Sequence, residues 1–276
     1  MKPALLALTL TALFAPAFSS IVAHAAASTV SAEQYAKVLA GSWRAPENVA
    51  RDVYRHPQQG LQFFGLGPNQ TVIEITPGNG WYSELLAPLL KDNGQYIAAV
   101  QAPTVSDYAR KNEEKLKAKF AAAPEQYAKA QVLEFDPKAP AFGQPGSADT
   151  VLTFRNVHNW VLADTAPLMF QAFFKVLKPG GVLGVVDHRA KDGASLEDIK
   201  HSGYLTTDYV VKLATDAGFK LEAQSEINAN PKDTKDYPEG VWTLPPALTL
   251  GEKDREKYLA IGESDRMTLR FVKPAN

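Results

Sequence analysis

The chain contains no cysteine among its 276 residues. That absence removes disulfides, thiolate zinc sites, a lipoprotein anchor and cysteine nucleophiles from consideration. Charge of one sign is not in excess either, since 29 basic residues stand against 30 acidic ones. Such a balance is no footprint for duplex nucleic acid or an anionic membrane, and the expected partner is a small molecule. Beyond the first stretch, no run is long and apolar enough to span a bilayer. That first stretch has Lys2, an apolar segment from Ala4 to Phe18 and then Ala23-His24-Ala25-Ala26. This is the order of a secretory signal peptide over residues 1–26. The shortness of the segment and Pro16 argue against a membrane anchor. The expected address is therefore periplasmic or secreted, with no membrane contact once the leader is removed. Internal repeats and low-complexity linkers are absent.

What the chain does have is organised around Thr71-Val72-Ile73-Glu74-Ile75-Thr76-Pro77-Gly78-Asn79-Gly80-Trp81-Tyr82. A β-branched apolar run ends in an acid, a Pro-Gly turn and a second glycine. Leu85, Leu86, Leu89 and Leu90 then recur at helical spacing. This predicts strand, tight turn and helix, the opening unit of an open α/β sheet. Glycines there let the backbone take positive φ and let a ligand lie against the main chain. The helix that follows presents unpaired N–H groups to the crevice.

Residues 27–62 read as an N-terminal helical cap, with helices over Ser31–Ala40 and Pro46–Arg55. Ser31 suits an N-cap and Pro46 a first turn. Arg51, Arg55 and His56 crowd this cap and read as a solvated face rather than as groups leaning over a site. Further strands are expected at Gln95–Val100, Gln131–Phe135, Thr150–Phe154 and Val182–Val186, with Asp164 capping the helix between the last two. Lys178-Pro179-Gly180-Gly181 is a turn in which proline sets one φ and glycine takes the next, positive one. A helix over Thr207–Ala217 stops at Gly218, and Phe219–Ile227 and Met267–Val272 alternate at period two. Strands alternating with helices, three of them almost wholly apolar, predict a mostly parallel sheet with helices on both faces. Residues 228–266 form a long polar insertion between the last two strands, of the kind that serves as a lid or binding segment.

In this order the elements resemble a class I S-adenosylmethionine-dependent methyltransferase over residues 63–276. Glu74-Ile75-Thr76-Pro77-Gly78-Asn79-Gly80 is similar to the family's acid-x-Gly-x-Gly-x-Gly loop, with Thr76 in place of the first glycine. Ala148-Asp149-Thr150-Val151-Leu152 and Leu177-Lys178-Pro179-Gly180-Gly181 are similar to its fourth-strand motif and to the turn before its fifth strand. Arg155-Asn156-Val157-His158-Asn159-Trp160 and Val186-Asp187-His188-Arg189-Ala190 resemble an exported, signal-peptide-bearing group of methyltransferase-like proteins. The resemblance implies a Rossmann-like, seven-stranded sheet whose last strand is antiparallel, and S-adenosylmethionine as cofactor. The cofactor-binding residues it implies are Glu74, Thr76, Pro77, Gly78, Asn79, Gly80, Gln101, Asp136 and Asn156. Gln101 stands where the family places an acid for the ribose hydroxyls.

For chemistry, the candidates are His158, Asp187 and His188, at the carboxyl ends of strands four and five where a ligand crevice is expected. Neutral imidazole can take a proton near pH 7. Adjacent strand residues point to opposite faces, so only one of Asp187 and His188 is expected to reach the pocket. A metal held by the three is the lesser reading. Glu74 is expected either to accept backbone N–H bonds of the loop or to approach the cofactor's amino group. The function expected is methyl transfer to a small molecule, with no protein partner. A non-catalytic binding protein on the same fold and a dinucleotide oxidoreductase are the alternatives.

Overall fold

The computed structural model describes residues 29–275. The expected signal peptide lies outside the described residues. Seven strands form one sheet: β1 (Thr71–Ile75), β2 (Gln95–Gln101), β3 (Gln131–Phe135), β4 (Ala148–Phe154), β5 (Leu177–His188), β6 (Lys220–Ser225) and β7 (Arg266–Val272). Their spatial order is β3-β2-β1-β4-β5-β7-β6. Neighbours from β3 to β5 pair in parallel, and β7 runs antiparallel between β5 and β6. The expected open, mostly parallel sheet with an antiparallel last strand is what forms.

Alternate residues of the central strands feed two cores, as a sheet covered on both faces requires. Ile73, Ile75, Val151 and Leu183 pack with Met169, Phe170, Phe173 and Leu213 from helices Ala166–Val176 and Thr207–Asp216. Val72, Ala98 and Leu152 pack on the other face with Leu85, Leu86 and Leu116, and with Tyr35, Val38 and Leu61 of the N-terminal helices. Gly180 takes φ 78°, as the turn chemistry requires, and its N–H bonds the Lys273 carbonyl at 2.8 Å, so β5 begins at Leu177 rather than after the turn.

One expected cap holds, and two local departures follow. Helix Ala32–Leu39 starts at Ser31 with the expected cap, completed as a capping box by Gln34. The single helix expected over Pro46–Arg55 divides into Pro46–Val49 and Asp52–Arg55, and a third helix follows at Pro57–Phe63. Proline 57 disfavours helical backbone at the residue before it, and His56 turns left-handed at φ 43°. Asp164 is not the helix cap; it is left-handed at φ 52°, and Thr165 holds the N-cap without a side-chain bond.

Buried polar ties dock the N-terminal helices. Glu84, in the first turn of helix Ser83–Leu90, accepts from Asn48 Nδ2 at 2.8 Å, Lys119 Nζ at 2.5 Å and Ala45 N at 3.3 Å. Trp81 Nε1 donates to the Asn48 carbonyl at 2.8 Å. Residues 228–266 are likewise packed down, carrying helix Arg255–Ile261 and buried Asn228, Asp233, Glu263 and Asp265.

Candidate functional site

The carboxyl ends of β1, β2 and β4 open into a cleft of about 570 Å³. Its floor is the loop after β1. Thr76 continues the strand by donating its N–H to the Ala99 carbonyl at 2.7 Å, then turns left-handed at φ 51°. Its hydroxyl is buried with no hydrogen-bond partner, on a residue that lines the cleft. Pro77, Gly78 and Asn79 line it as well. The two glycines turn out to do different work. A Cβ on Gly78, at φ 59°, would meet no atom within 4 Å, whereas one on Gly80 would sit 3.0 Å from Leu116 Cδ1 and 3.2 Å from Ser83 Oγ. Gly78 therefore keeps the cleft floor open, and Gly80, off the cleft wall, lets the loop close against helix Asp107–Ala122.

Glu74 lies at the bottom of the cleft, buried, and its carboxylate is held by side-chain hydroxyls rather than by backbone N–H groups of the loop. Oε2 accepts from the Tyr96 hydroxyl at 2.5 Å and from Ser83 Oγ at 3.3 Å. Burial pushes its pKa up to about 7 from 4.5, against the opposing pull of the two hydroxyls and of Arg55 and Lys119. A carboxyl whose folded value is raised binds its proton more tightly when folded. Its contribution to stability is therefore full below about 4.5 and is lost as the pH rises through about 7. Glu74→Gln, which keeps an acceptor for Tyr96, should become more stable relative to the parent as pH rises from about 5 to about 8. Thermal melts across that range check this; a constant difference would mean that Glu74 titrates as an ordinary carboxyl.

Gln101, at the end of β2, lines the cleft opposite Asn156, together with Tyr108 and Asn112 of helix Asp107–Ala122. Asn156 Nδ2 donates to the Ile75 carbonyl at 2.9 Å and to Thr153 Oγ1 at 3.2 Å, tying the ends of β1 and β4 together. Asp136 stands apart. It is exposed, absent from the cleft wall, and its Oδ1 accepts from Lys138 N at 2.8 Å in a local turn. Tyr82 and Phe154 stack with ring centroids 3.4 Å apart and form an apolar wall with Trp81 and Trp160. Tyr108 and Asn112 gave no sequence signal, because a charged amphipathic helix does not reveal which exposed turn faces a crevice.

His158, Asp187 and His188 come together, although the alternation along a strand predicts that only one of the last two would share a site. Asp187 is fully buried and turns its carboxylate back along the chain. Oδ1 meets His158 Nδ1 at 2.8 Å and accepts from His188 N at 2.7 Å, while Oδ2 accepts from Val157 N at 2.7 Å. The His158 and His188 rings are 5.0 Å apart, and His188 Nδ1 bonds Ser264 Oγ at 2.5 Å. Burial, with the charges of His158 and three nearby arginines, lowers the His188 pKa well below its usual value. Ligating atoms of the trio lie within 4.8 Å of one another, close enough for one metal ion. The Asp187 oxygens, however, are already occupied by N–H donors. None of the three residues is on the cleft wall. They lie behind it, bracing helix Val157–Leu162, an element too short for sequence periodicity to reveal.

The cap supplies the remaining wall. Asn48, Arg51 and Arg55 line the cleft opposite Arg155 and Asn159. Arg55 is only 4% exposed, so the crowded arginines of the cap are not the solvated face expected from sequence.

No protein-family model matches the chain, and no curated protein matches it in sequence. In structure it is similar to a SAM-dependent methyltransferase from Aquifex aeolicus, with a TM-score of 0.54 and 16% identity over 81% of this chain and 93% of that one. It is similar also to the cyclase SpnF, with a TM-score of 0.56 and 16% identity over 86% of each chain. A third likeness is to the mitomycin 7-O-methyltransferase MmcR, with a TM-score of 0.51 and 12% identity over 82% of this chain and 54% of that one. What is shared at these identities is the Rossmann-like methyltransferase fold.

Proposed function

We propose that the protein transfers a methyl group from S-adenosylmethionine to a small molecule. The observation that carries this reading is the loop after β1, where an open Gly78 and Thr76, whose buried hydroxyl has no hydrogen-bond partner, line one cleft. Thr76, Gly78 and Asn79 would hold the amino-acid part of the cofactor, and Gln101 the ribose, with Tyr108 and Asn112 beside the base. Asp136 has no part in this reading. The chemistry the cofactor supplies when bound is a methyl group already activated by a sulfonium. The protein's own task is then to orient the acceptor and exclude water.

Apart from Glu74, whose carboxyl is engaged by Tyr96 and Ser83, the cleft wall carries no carboxyl, imidazole or amine among the described residues. Burial raises the Tyr82 pKa to about 12. The acceptor is accordingly a group that is nucleophilic without help from a general base. We assign His158 and Asp187 a positioning role, holding the segment from Arg155 to Trp160 against the cleft, and His188 a place in the same brace.

Calorimetric titration with S-adenosylmethionine and S-adenosylhomocysteine tests the reading directly: both should bind, and the absence of heat for either would end it. The pose has its own test in Gln101→Glu. A carboxylate facing the ribose hydroxyls should tighten binding by roughly 1 kcal/mol, the difference between a neutral and a charge-assisted hydrogen bond. Unchanged affinity would mean that another group holds the ribose.

A further inference from the structure

The arginines at the cap end of the cleft outnumber their partners. Arg51, Arg55 and Arg266 share one carboxylate, Glu263, at 2.6, 3.4 and 3.0 Å. Arg266 spends its remaining donors on the Tyr54 carbonyl at 2.5 Å and the Ser264 carbonyl at 3.2 Å. The others are not so satisfied. Nη2 of Arg51 and Nη2 of Arg55 are buried without a hydrogen-bond partner. The Arg155 guanidinium makes no hydrogen bond or ion pair among the described residues, although Arg155 lines the cleft and is held there at φ 61°. Arg55 is fixed over the Trp81 ring, 4.7 Å from its centroid. Burial first, and then repulsion from Arg55, Arg51 and Arg266, lowers the Arg155 pKa to about 9.

Four guanidiniums facing one carboxylate leave a large positive excess in a partly dry pocket, and unpaired buried charge is costly. The cofactor of the proposed reaction cannot balance it. Its single carboxylate is accompanied by an ammonium and a sulfonium, so the molecule as a whole is cationic. Glu74 supplies no full countercharge either, because burial raises its pKa to about 7.

We propose that Arg51, Arg55 and Arg155 form an oxyanion subsite that receives a carboxylate or phosphate group of the methyl acceptor. The planar fork of a guanidinium matches either group with paired N–H donors. The aromatic wall of Trp81, Tyr82 and Phe154 beside it suits an acceptor with an apolar or aromatic body. This inference rests on the methyl-transfer reading for the word acceptor, but not for the site itself.

The test is calorimetry on protein saturated with S-adenosylhomocysteine, at fixed ionic strength, using benzoate, phenyl phosphate and the neutral benzamide as probes. Benzoate or phenyl phosphate should bind, and whichever is tighter identifies the oxyanion; benzamide should be weaker by about tenfold or more. Arg155→Asn, a residue type that tolerates left-handed backbone, should weaken the anion by about tenfold or more and leave S-adenosylhomocysteine affinity unchanged. Arg55→Gln should do the same where it folds. Equal binding of benzamide, or an unchanged anion affinity in Arg155→Asn, overturns the subsite. So does a selective loss of S-adenosylhomocysteine, which would assign the arginines to the cofactor's carboxylate. If the homocysteine compound fails to bind while the anions bind and respond to Arg155→Asn, the methyl-transfer reading falls and the oxyanion subsite stands.

Discussion

Gly78→Val is expected to abolish cofactor binding, by about 100-fold or more, while leaving the thermal transition of the fold close to the parent's. The backbone of Gly78 is at φ 59° and an added Cβ meets no neighbour within 4 Å, so the new side chain would project into the cleft. Left-handed backbone costs a residue with a Cβ roughly 1–2 kcal/mol, and a β-branched one more. That strain is modest against global stability. The loss of the space in which a ligand lies against the main chain is not modest, and 100-fold corresponds to about 2.7 kcal/mol. Titration with S-adenosylhomocysteine beside a thermal melt separates the two effects. Gly80→Val should behave in the opposite way, lowering the melting temperature through its clash with Leu116 and Ser83. Parent-like affinity in Gly78→Val would place the ligand elsewhere.

Glu84→Ala should cost about 3–5 kcal/mol of stability, the range for removing one partner of a buried ion pair. Its carboxylate is fully buried and lies 3.7 Å from the Nε of Arg44, itself fully buried. Without it, Asn48, Lys119 and the Ala45 N–H lose their common acceptor. Arg44 keeps Asp52, at 2.6 Å, which limits the damage to one side of the guanidinium. For a chain of this size the melting temperature should fall by roughly 10 °C. Glu84→Gln, which retains a neutral acceptor for Asn48, should fall less. Because Asn48 and Arg51 are wall residues of the cleft, ligand affinity should drop along with stability. An unchanged melting temperature in Glu84→Ala would show that the cap is held by its apolar contacts alone.

Much of this architecture is legible in the sequence because its signals are local. β-Branched runs, a Pro-Gly turn before β5 and a serine capping box each act within a few residues. The open cleft floor at Gly78 belongs to the same class, since the strand, turn and helix that make it are contiguous. Other features are tertiary, and no short window carries them. Arg51 and Arg55 look like surface cations until Glu263 comes to meet them. Asp187 and His188 share a neighbourhood because one carboxylate folds back onto Val157 and His158, an interaction that strand alternation does not anticipate. Asp136 follows β3 directly and Gln101 ends β2, yet a local turn with Lys138 claims the side chain of Asp136. Position at a strand end establishes that a residue is near the crevice, but not which way it faces.

The clasp between the cap and the start of β7 carries a consequence for the order of assembly. Arg51 reaches Glu263 across 212 residues of chain, and Arg266 reaches the Tyr54 carbonyl across the same distance. Contacts so remote in sequence form late, because the entropy of closing the long loop must be met before they contribute. The loop around Gly78 can be in place as soon as the first strands pair. The arginine end of the cleft must wait until β7 has inserted between β5 and β6. A nascent chain therefore acquires the floor of its cleft well before the wall that gives the cleft its charge, which is complete only once Arg266 and the rest of β7 have been made.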